Sequence, residues 1–244
     1  MSSDRIYIVV PDIHVPFHDV AYLCLLKEVI KRVKPYGIVQ LGDALDFWQV
    51  SRFDKNPLRK QTIAEDAKVY HAILLEWAEL LPANGIIHQL EGNHEDRLRR
   101  YIWQHAKELV GIVQNVPQMI GLRDLGIRTQ WHDLADWKSC QLGDVVLHHG
   151  HFYNMHTAMG NLGKYPRSLI TGHTHRVQFA DNSDRYSCTL GHASDERQTA
   201  HQPTPTGWAQ ALGILTVTKK SKSALEIVRV RDGECILRGK RISV

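Results

Sequence analysis

The stretch of sequence that decides the fold is GIVQLGDALD, residues 37–46. Its first half, GIVQL, is an apolar, β-branched run with the length of a buried strand. Its second half, GDALD, follows that strand with a glycine and two carboxylates. Residues 5–10 (RIYIVV) and 85–90 (GIIHQL) are similar runs, and each also precedes polar residues. These three runs predict three buried strands that end in the same kind of polar loop.

Helical patterns separate these strands. The segment Val20–Val33 places apolar residues at helical spacing, with Asp19 as the expected N-cap. The segment Thr62–Leu81 begins with a Thr-x-x-Glu capping box and ends before a proline. A third helix is predicted over Glu95–Val110. Alternation of strands and helices favours βαβ units and a mostly parallel sheet.

The second half of the chain is instead rich in short strand-like runs separated by turn signals, such as Asp232-Gly233. The segment Gln198–Gly207, which contains two prolines, is typical of a surface loop. We therefore predict an α/β fold with two mixed sheets flanked by helices. The predicted strands of this half are Val145–His148, Ser168–Thr171, Gln178–Ala180, Tyr186–Leu190, Ala211–Thr218, Leu225–Val230 and Cys235–Leu237.

Composition limits the classes of function. With 244 residues, 43% of them hydrophobic and 23% charged, the chain is expected to form a single globular domain over residues 1–244. The net charge of +4 tolerates anionic substrates but is too small to indicate a dedicated nucleic-acid-binding module. No apolar run reaches the roughly 20 residues of a membrane span, so no membrane partner is expected. Met1–Val10 lacks the features of a signal peptide, which favours a cytoplasmic location.

The four cysteines are far apart and form no CxxC pair, so we interpret them as free thiols. The 15 histidines are more informative, because neutral imidazole is the commonest ligand of transition metals. His71, His88, His105 and His132 stand alone in the sequence and receive no role.

Residues that can bind metals recur directly after five of the predicted strands. In open α/β sheets, ligands bind beyond the carboxyl ends of the strands, so these clusters are expected to converge. The recurrence carries the argument, since any one cluster alone would be weak. The clusters are Asp12 and His14; Asp43 and Asp46; Asn93, His94 and Glu95; His148, His149 and His151; and His173 and His175.

The spacing within the clusters suits metal binding. Residues two apart in an extended segment point the same way, so Asp12 with His14, and His173 with His175, can each supply two side chains to one site. Carboxylate and imidazole ligands together suit Mn, Fe or Zn better than Ca. Two ions about 3.5–4 Å apart require a bridging carboxylate, and Asp43 is the natural candidate.

The ordered set D-x-H, G-D-x-x-D, G-N-H-E, H-G and G-H-x-H resembles the calcineurin-like metallophosphoesterase superfamily. All five motifs occur here in that order, between Asp12 and His175, which is about two thirds of the chain. The resemblance implies a four-layer α/β/β/α sandwich. It also implies a site with two divalent metal ions, with Mn²⁺ expected and Fe, Zn or Ni as alternatives.

The resemblance further implies individual roles. Asp12, His14 and His175 would hold one ion, and a second group the other, with Asp43 as the bridge between them. His94 would be the catalytic imidazole that protonates or stabilises the leaving oxygen. The role implied for Asp46 is to orient His94, although a turn carboxylate is the alternative interpretation. The second group consists of Asn93, His149 and His173.

The activity implied is phosphoester hydrolysis by metal-activated water that attacks phosphorus in line. Asp46 is followed by Phe47-Trp48 instead of Arg-Gly, and Glu91 replaces the arginine that precedes G-N-H-E in phosphoprotein phosphatases. These residues resemble compact phosphoesterases of bacteria and phages instead. We therefore favour a phosphodiesterase acting on nucleotides or nucleic acid, with a broad phosphomonoesterase as the alternative. A non-catalytic interaction scaffold and a nucleic-acid-binding module with structural metals are the rival classes.

Basic residues near the motifs are candidates for substrate binding. Arg97 follows the G-N-H-E motif by two residues. One interpretation is that it contacts substrate phosphate, and the alternative is that it belongs to a solvated helix face. Arg52 belongs to a basic stretch with Lys55 and Arg59, near aromatic residues. Charge and stacking together can hold a nucleotide or a single strand. The alternative interpretation of this stretch is an ordinary exposed loop.

Overall fold

The first strand, β1 (Arg5–Val10), separates two apolar layers of the protein. Because side chains alternate along a strand, Ile8 and Val10 contact one hydrophobic cluster, whereas Tyr7 and Val9 contact another. The computed structural model describes residues 4–134, 139–199 and 207–244. Two segments interpreted from the sequence lie partly outside the described residues. They are Met1–Val10, which lacks the features of a signal peptide, and Gln198–Gly207, which the sequence predicts as a surface loop.

The described strands form two mixed sheets. Eight of them make the first sheet, in the order β13-β12-β11-β10-β1-β2-β3-β4, and five make the second, in the order β5-β6-β7-β9-β8. Strands β1 to β4 are parallel, as are β6, β7 and β9, whereas the remaining pairs are antiparallel. Their bounds are β1 (Arg5–Val10), β2 (Gly37–Gln40), β3 (Ile86–Leu90), β4 (Arg128–His132), β5 (Cys140–Leu142), β6 (Val145–His148), β7 (Ser168–Thr171), β8 (Val177–Asp181), β9 (Tyr186–Leu190), β10 (Ala211–Val217), β11 (Ser223–Arg231), β12 (Glu234–Leu237) and β13 (Lys240–Ser243).

Helices cover the outer faces of both sheets. Helices α1 (Val20–Val33) and α2 (Ile63–Leu80) pack on the first sheet, where burial of a side chain such as Leu26 or Leu74 contributes about 1.5–3 kcal/mol. Helix α5 (Thr157–Lys164) packs on the second sheet through Ala158 and Leu162. The predicted four-layer α/β/β/α sandwich is therefore confirmed. The helices are α1 (Val20–Val33), α2 (Ile63–Leu80), α3 (Asn93–His105), α4 (Val116–Met119), α5 (Thr157–Lys164) and α6 (Glu196–Thr199).

The two long helices begin as their sequences predict. The Asp19 carboxylate caps α1 by accepting a hydrogen bond from the Tyr22 N–H at 3.1 Å. The capping box of Thr62 and Glu65 is present at the start of α2. Within the described ranges, no helix combines the length and the apolar character that a membrane span requires.

The prediction for the third helix is wrong at both ends. Helix α3 begins at Asn93, because Gly92 takes the N-cap position and the Glu95 carboxylate accepts a hydrogen bond from the Gly92 N–H. It ends at His105, where Ala106 departs from helical geometry and a short 3₁₀ turn, Lys107–Leu109, follows. In consequence, Asn93 and His94 lie in the first turn of a helix.

Several elements are absent from the sequence-based prediction. Strand β4 has polar residues on its half-exposed face, and β13 lies at the far edge of the first sheet, so neither is a clear apolar run. Helix α5 contains two glycines, which are poor helix formers. The segment predicted as a loop at Gln198–Gly207 begins in α6, which includes Gln198 and Thr199, and residues 200–206 lie outside the described part.

Candidate metal centre

The carboxyl ends of five strands bring the predicted ligands together. The loops after β1 and β2 and the first turn of α3 meet the loops after β6 and β7 of the second sheet. The side chains from these segments form overlapping groups whose ligand atoms lie within 4.8 Å of one another. These groups are Asp12, His14 and His175; His14, Asp43 and His94; and Asp43, His149 and His173.

The first group consists of Asp12, His14 and His175, all of them buried. Oδ2 of Asp12 lies 3.1 Å from Nε2 of His175, and the Nε2 atoms of the two imidazoles are 3.0 Å apart. Nδ1 of His14 lies 3.1 Å from Oδ2 of Asp46, which fixes the ring with Nε2 pointing into the group. One carboxylate and two imidazoles therefore face a common point.

The second group consists of Asn93, His149 and His173. Nε2 of His149 lies 2.9 Å from Oδ1 of Asn93 and 3.2 Å from Nδ1 of His173. Nδ1 of His149 lies 3.0 Å from the carbonyl oxygen of Leu41, to which it can donate. Such a hydrogen bond leaves Nε2 as the metal-binding nitrogen of His149.

Asp43 lies between the two groups. Its Oδ2 is 3.3 Å from Nε2 of His149, 3.7 Å from Nε2 of His94 and 3.8 Å from Nε2 of His14. Its Oδ1 accepts a hydrogen bond from the backbone N–H of His94 at 2.8 Å. One carboxylate thus borders both ligand groups, which is the position that the bridging role requires.

The charged groups of the cluster shift one another's pKa. Burial tends to raise the pKa of Asp43, but the imidazoles of His149 and His94 hold it well below its usual range. Burial tends to lower the pKa of His149, but the Asp43 carboxylate raises it to about 9. Burial and the neighbouring His149 lower the pKa of His173 to about 4. The buried negative charge of Asp43 therefore requires a positive charge beside it, either the protonated imidazole of His149 or a metal ion.

The residues present fit divalent metal ions. Among the described residues, Oδ1 of the ligand Asp12 is a buried polar atom without a hydrogen-bond partner. A buried acceptor without a donor is costly, and a bound cation would satisfy it. The mixture of carboxylate, amide and imidazole ligands matches Mn, Fe, Zn or Ni and does not select among them.

The backbone is strained where it carries the ligands. His14, Asp43, His173 and His175 have φ between 53° and 69°, in the left-handed region that glycine favours. Each such residue costs about 1–3 kcal/mol, which the surrounding packing must offset. At Gly172, an added Cβ would overlap Oδ1 of Asp12, so glycine is required for this close approach. The loops therefore adopt these conformations to aim side chains at the centre.

Glu95 holds two of these loops together, a role that the sequence analysis missed. It is 1% exposed, and its Oε2 accepts hydrogen bonds from the N–H groups of Asp43 at 2.9 Å and Gly92 at 2.8 Å. Its Oε1 accepts one from the N–H of Leu45 at 2.9 Å. The only sign of this role in the sequence is the position of Glu95 as the last residue of the G-N-H-E motif. Glu95 thus fixes the Asp43 loop against the start of α3.

His94 lies beside the metal ligands and contacts both Asp46 and Arg97. Its Nδ1 is 2.9 Å from the carbonyl oxygen and 3.1 Å from Oδ2 of Asp46, and its Nε2 is 2.8 Å from Nη2 of Arg97. Burial tends to raise the pKa of Asp46, but hydrogen bonds from His14 and His94 hold it well below its usual range. The ionised Asp46 therefore orients the rings of both histidines.

The ligands line an open cleft with a basic and aromatic rim. Lys55, Arg59 and Phe53, from the stretch between β2 and α2, line the same cleft as the ligands. The guanidinium of Arg59 lies 4.2 Å from the ring centre of Phe17. Arg97 lines this cleft, whereas Arg52 lines the cavity that adjoins it. The basic stretch is therefore part of the site's border.

Two aromatic residues near the first ligand group were also missed. The ring of His175 lies 4.3 Å from that of Trp208 in an edge-on arrangement and 5.1 Å from that of His192 in a stacked one. Trp208 lines the cleft. These two residues follow no motif and come from the strand-rich half, so the sequence offered no signal for them.

Comparisons with known proteins find one likeness in sequence and others in structure. No protein-family model matches the chain. The gene 54 protein of Mycobacterium phage L5 is 27% identical over 210 residues, which cover 80% of this chain and 76% of that protein. Vacuolar protein sorting 29 (Vps29) from Cryptosporidium parvum is 14% identical, with 100% of both chains covered and a TM-score of 0.53. Wild-type Vps29 from Entamoeba histolytica, in complex with Zn²⁺, is 15% identical over 97% of this chain and 98% of that chain, with a TM-score of 0.50.

These likenesses define the class of fold. The chain has the sandwich fold of the calcineurin-like metallophosphoesterases, as the order of its motifs predicts. On that fold it carries clusters of histidine and aspartate that can hold metal ions.

Substitution of Glu95 tests how the centre is assembled. In Glu95→Gln, an amide NH₂ group would replace one of the two carboxylate oxygens. This group cannot accept the backbone N–H hydrogen bond that the oxygen accepts. We expect the free energy of unfolding in urea to fall by about 1–3 kcal/mol. Glu79→Gln, on the exposed face of α2, is the matched control and should change stability little. Equal stability of the two variants would contradict the role assigned to Glu95.

Metal affinity is expected to rise with pH. His149 must be neutral to bind a metal, but its pKa of about 9 in the metal-free protein keeps it protonated near neutrality. Proton competition therefore weakens as the pH rises from about 7 towards about 9, and the affinity for Mn²⁺ should increase. Calorimetry in buffers of different ionisation enthalpy should show proton release on binding. Affinity independent of pH, without proton release, would contradict this electrostatic account.

Proposed function

We propose that the chain is a phosphoester hydrolase that depends on two divalent metal ions and prefers phosphodiesters of nucleotides or nucleic acid. The observation that carries the proposal is the position of Asp43, a single buried carboxylate with a group of metal-binding side chains on either side. This arrangement lies at the base of an open cleft, where a phosphate group can enter.

Two bound ions would supply the positive charge that draws in the phosphate oxygens and activates the attacking water. Asp12, His14 and His175 would hold one ion, and Asn93, His149 and His173 the other, with Asp43 shared. The Zn²⁺ complex of Vps29 from Entamoeba histolytica supports divalent metal binding on this fold. Mn²⁺ remains our expectation for this chain, with Fe, Zn or Ni as alternatives, because oxygen and nitrogen ligands together accept each of these metals.

The proposed role of His94 is to act on the leaving oxygen. The ring is part-buried at the side of the ligand groups, and Nε2 lies 3.7 Å from Oδ2 of Asp43. Oδ2 of Asp46 lies 3.1 Å from Nδ1, so it orients the ring and leaves Nε2 as the nitrogen that would act on the leaving oxygen. Asp46 therefore acts as a positioning residue.

The rim of the cleft supports a nucleotide-like diester. Arg97 carries its guanidinium next to Nε2 of His94, so a phosphate bound there would meet a fixed positive charge. Lys55 and Arg59 extend that charge along the border. Phe53 has a half-exposed ring, which can stack on a base. Arg52 lies 5.3 Å from the Phe53 ring centre and would contact the further part of a longer substrate.

The proposal is tested with a panel of esters and metals. Purified protein loaded with Mn²⁺ should hydrolyse bis-p-nitrophenyl phosphate and a single-stranded oligonucleotide faster than p-nitrophenyl phosphate. Zn²⁺, Fe²⁺ and Ni²⁺ are compared in parallel, and a chelator should abolish turnover. Faster turnover of the monoester would favour the broad phosphomonoesterase instead. Absence of turnover with every metal would favour a non-catalytic scaffold.

Two variants attribute the activity to this site. Asp43→Asn should lose most bound metal and nearly all turnover, because the shared carboxylate loses its charge. His94→Ala should keep its metal but slow the hydrolysis of esters with poor leaving groups by about 10²–10⁴-fold. Full activity of the first variant would exclude the shared ligand, and unchanged rates of the second would exclude His94 as the proton donor.

A further inference from the structure

Another set of metal-binding side chains, separate from both ligand groups of the cleft, lies where the edges of the two sheets meet. His88 belongs to β3, His132 to β4 and Cys140 to β5. Strand β4 is the last strand of the first sheet, and β5 is the edge strand of the second. The ligand atoms of these three residues lie within 4.8 Å of one another, and each residue is at most 6% exposed. None of the three lines the cleft described above.

We propose that His88, His132 and Cys140 bind one Zn²⁺ ion that joins the two sheets at this edge. The ion would be separate from those of the cleft and would stabilise the sandwich. Its ligands come from two strands of the first sheet and one strand of the second, so the site forms only when the two sheets are stacked.

The geometry suits a single ion. Nδ1 of His88 lies 3.2 Å from Nε2 of His132. Two imidazole nitrogens bound to one tetrahedral Zn²⁺ at the usual bond length lie about 3.3 Å apart. The rings therefore already have the separation that a shared ion requires, and the sulfur of Cys140 supplies the third ligand. The remaining tetrahedral position is left for a water molecule.

The chemistry of the ligands separates this site from the cleft. The cleft offers oxygen and nitrogen atoms, whereas the edge group includes a sulfur atom, which favours Zn²⁺ over Mn²⁺. Burial lowers the pKa of His88 to about 4, so its imidazole is neutral near pH 7, as a ligand must be. Burial raises the pKa of the Cys140 thiol to about 12, so metal binding would release its proton.

A neutral hydrogen bond between two histidines beside an inert thiol is the competing explanation. Cys188 provides the internal comparison, because it lies in the same hydrophobic layer between the sheets and is also buried. It belongs to none of the metal-binding groups found among the described residues. A metal-thiolate signal should therefore depend on Cys140 and be independent of Cys188.

Co²⁺ is the spectroscopic probe for the test. Only a thiolate ligand gives an intense sulfur-to-cobalt charge-transfer band, and the cleft ligands contain no sulfur. The wild-type chain and Cys188→Ser should show this band on titration with Co²⁺, and excess Zn²⁺ should abolish it. Cys140→Ser should lack the band and should retain one Zn²⁺ fewer per chain after dialysis. His88→Gln, which keeps every thiol, should also lack it or show it only at much higher Co²⁺.

Each outcome decides the proposal. Absence of the band in the wild-type chain overturns it without any variant. A band that survives in Cys140→Ser, or that is unchanged in His88→Gln, also overturns it. If circular dichroism shows that Cys140→Ser does not fold, the test uses X-ray absorption at the zinc edge of the wild-type chain instead of this variant. One sulfur at about 2.3 Å from zinc is then expected, and a shell of nitrogen and oxygen alone contradicts the site.

Discussion

The buried carboxylate of Asp43 is the feature on which the rest of the centre depends. A charge removed from water requires a compensating charge and hydrogen bonds nearby, and the imidazoles of three histidines surround this one. Ligand groups lie on both sides of it, from both sheets of the sandwich. The position of this one side chain therefore links the electrostatics of the centre to the stacking of the sheets.

The fold meets that requirement through its loops. Parallel strands place the carboxyl ends of β1, β2 and β3 at one edge, and the second sheet adds those of β6 and β7. Left-handed backbone at Asp43 and at three of its fellow ligands directs the side chains inward. Glu95 fixes the Asp43 loop with both carboxylate oxygens. Rigid strands, strained loops and the first turn of α3 together give the centre its geometry.

Local patterns in the sequence predict the parts of the structure that have local causes. The bounds of α1, the capping box of α2 and the strands before the motifs follow from periodicity and caps, and the order of the motifs predicts the fold. The clamp at Glu95 depends on hydrogen bonds to the Asp43 loop, which is far away in the sequence. The contacts of Trp208 and of the group around Cys140 depend on the stacking of the two sheets. The sequence of a single segment therefore cannot predict them.

The most direct test of the account is a crystal structure of the protein grown with Mn²⁺, with anomalous scattering recorded at the manganese edge. We expect two peaks in the cleft, about 3.5–4 Å apart, with the carboxylate of Asp43 between them. His149 should contact one of these ions, and His14 the other. A single peak, or two peaks that Asp43 does not contact, would contradict the account.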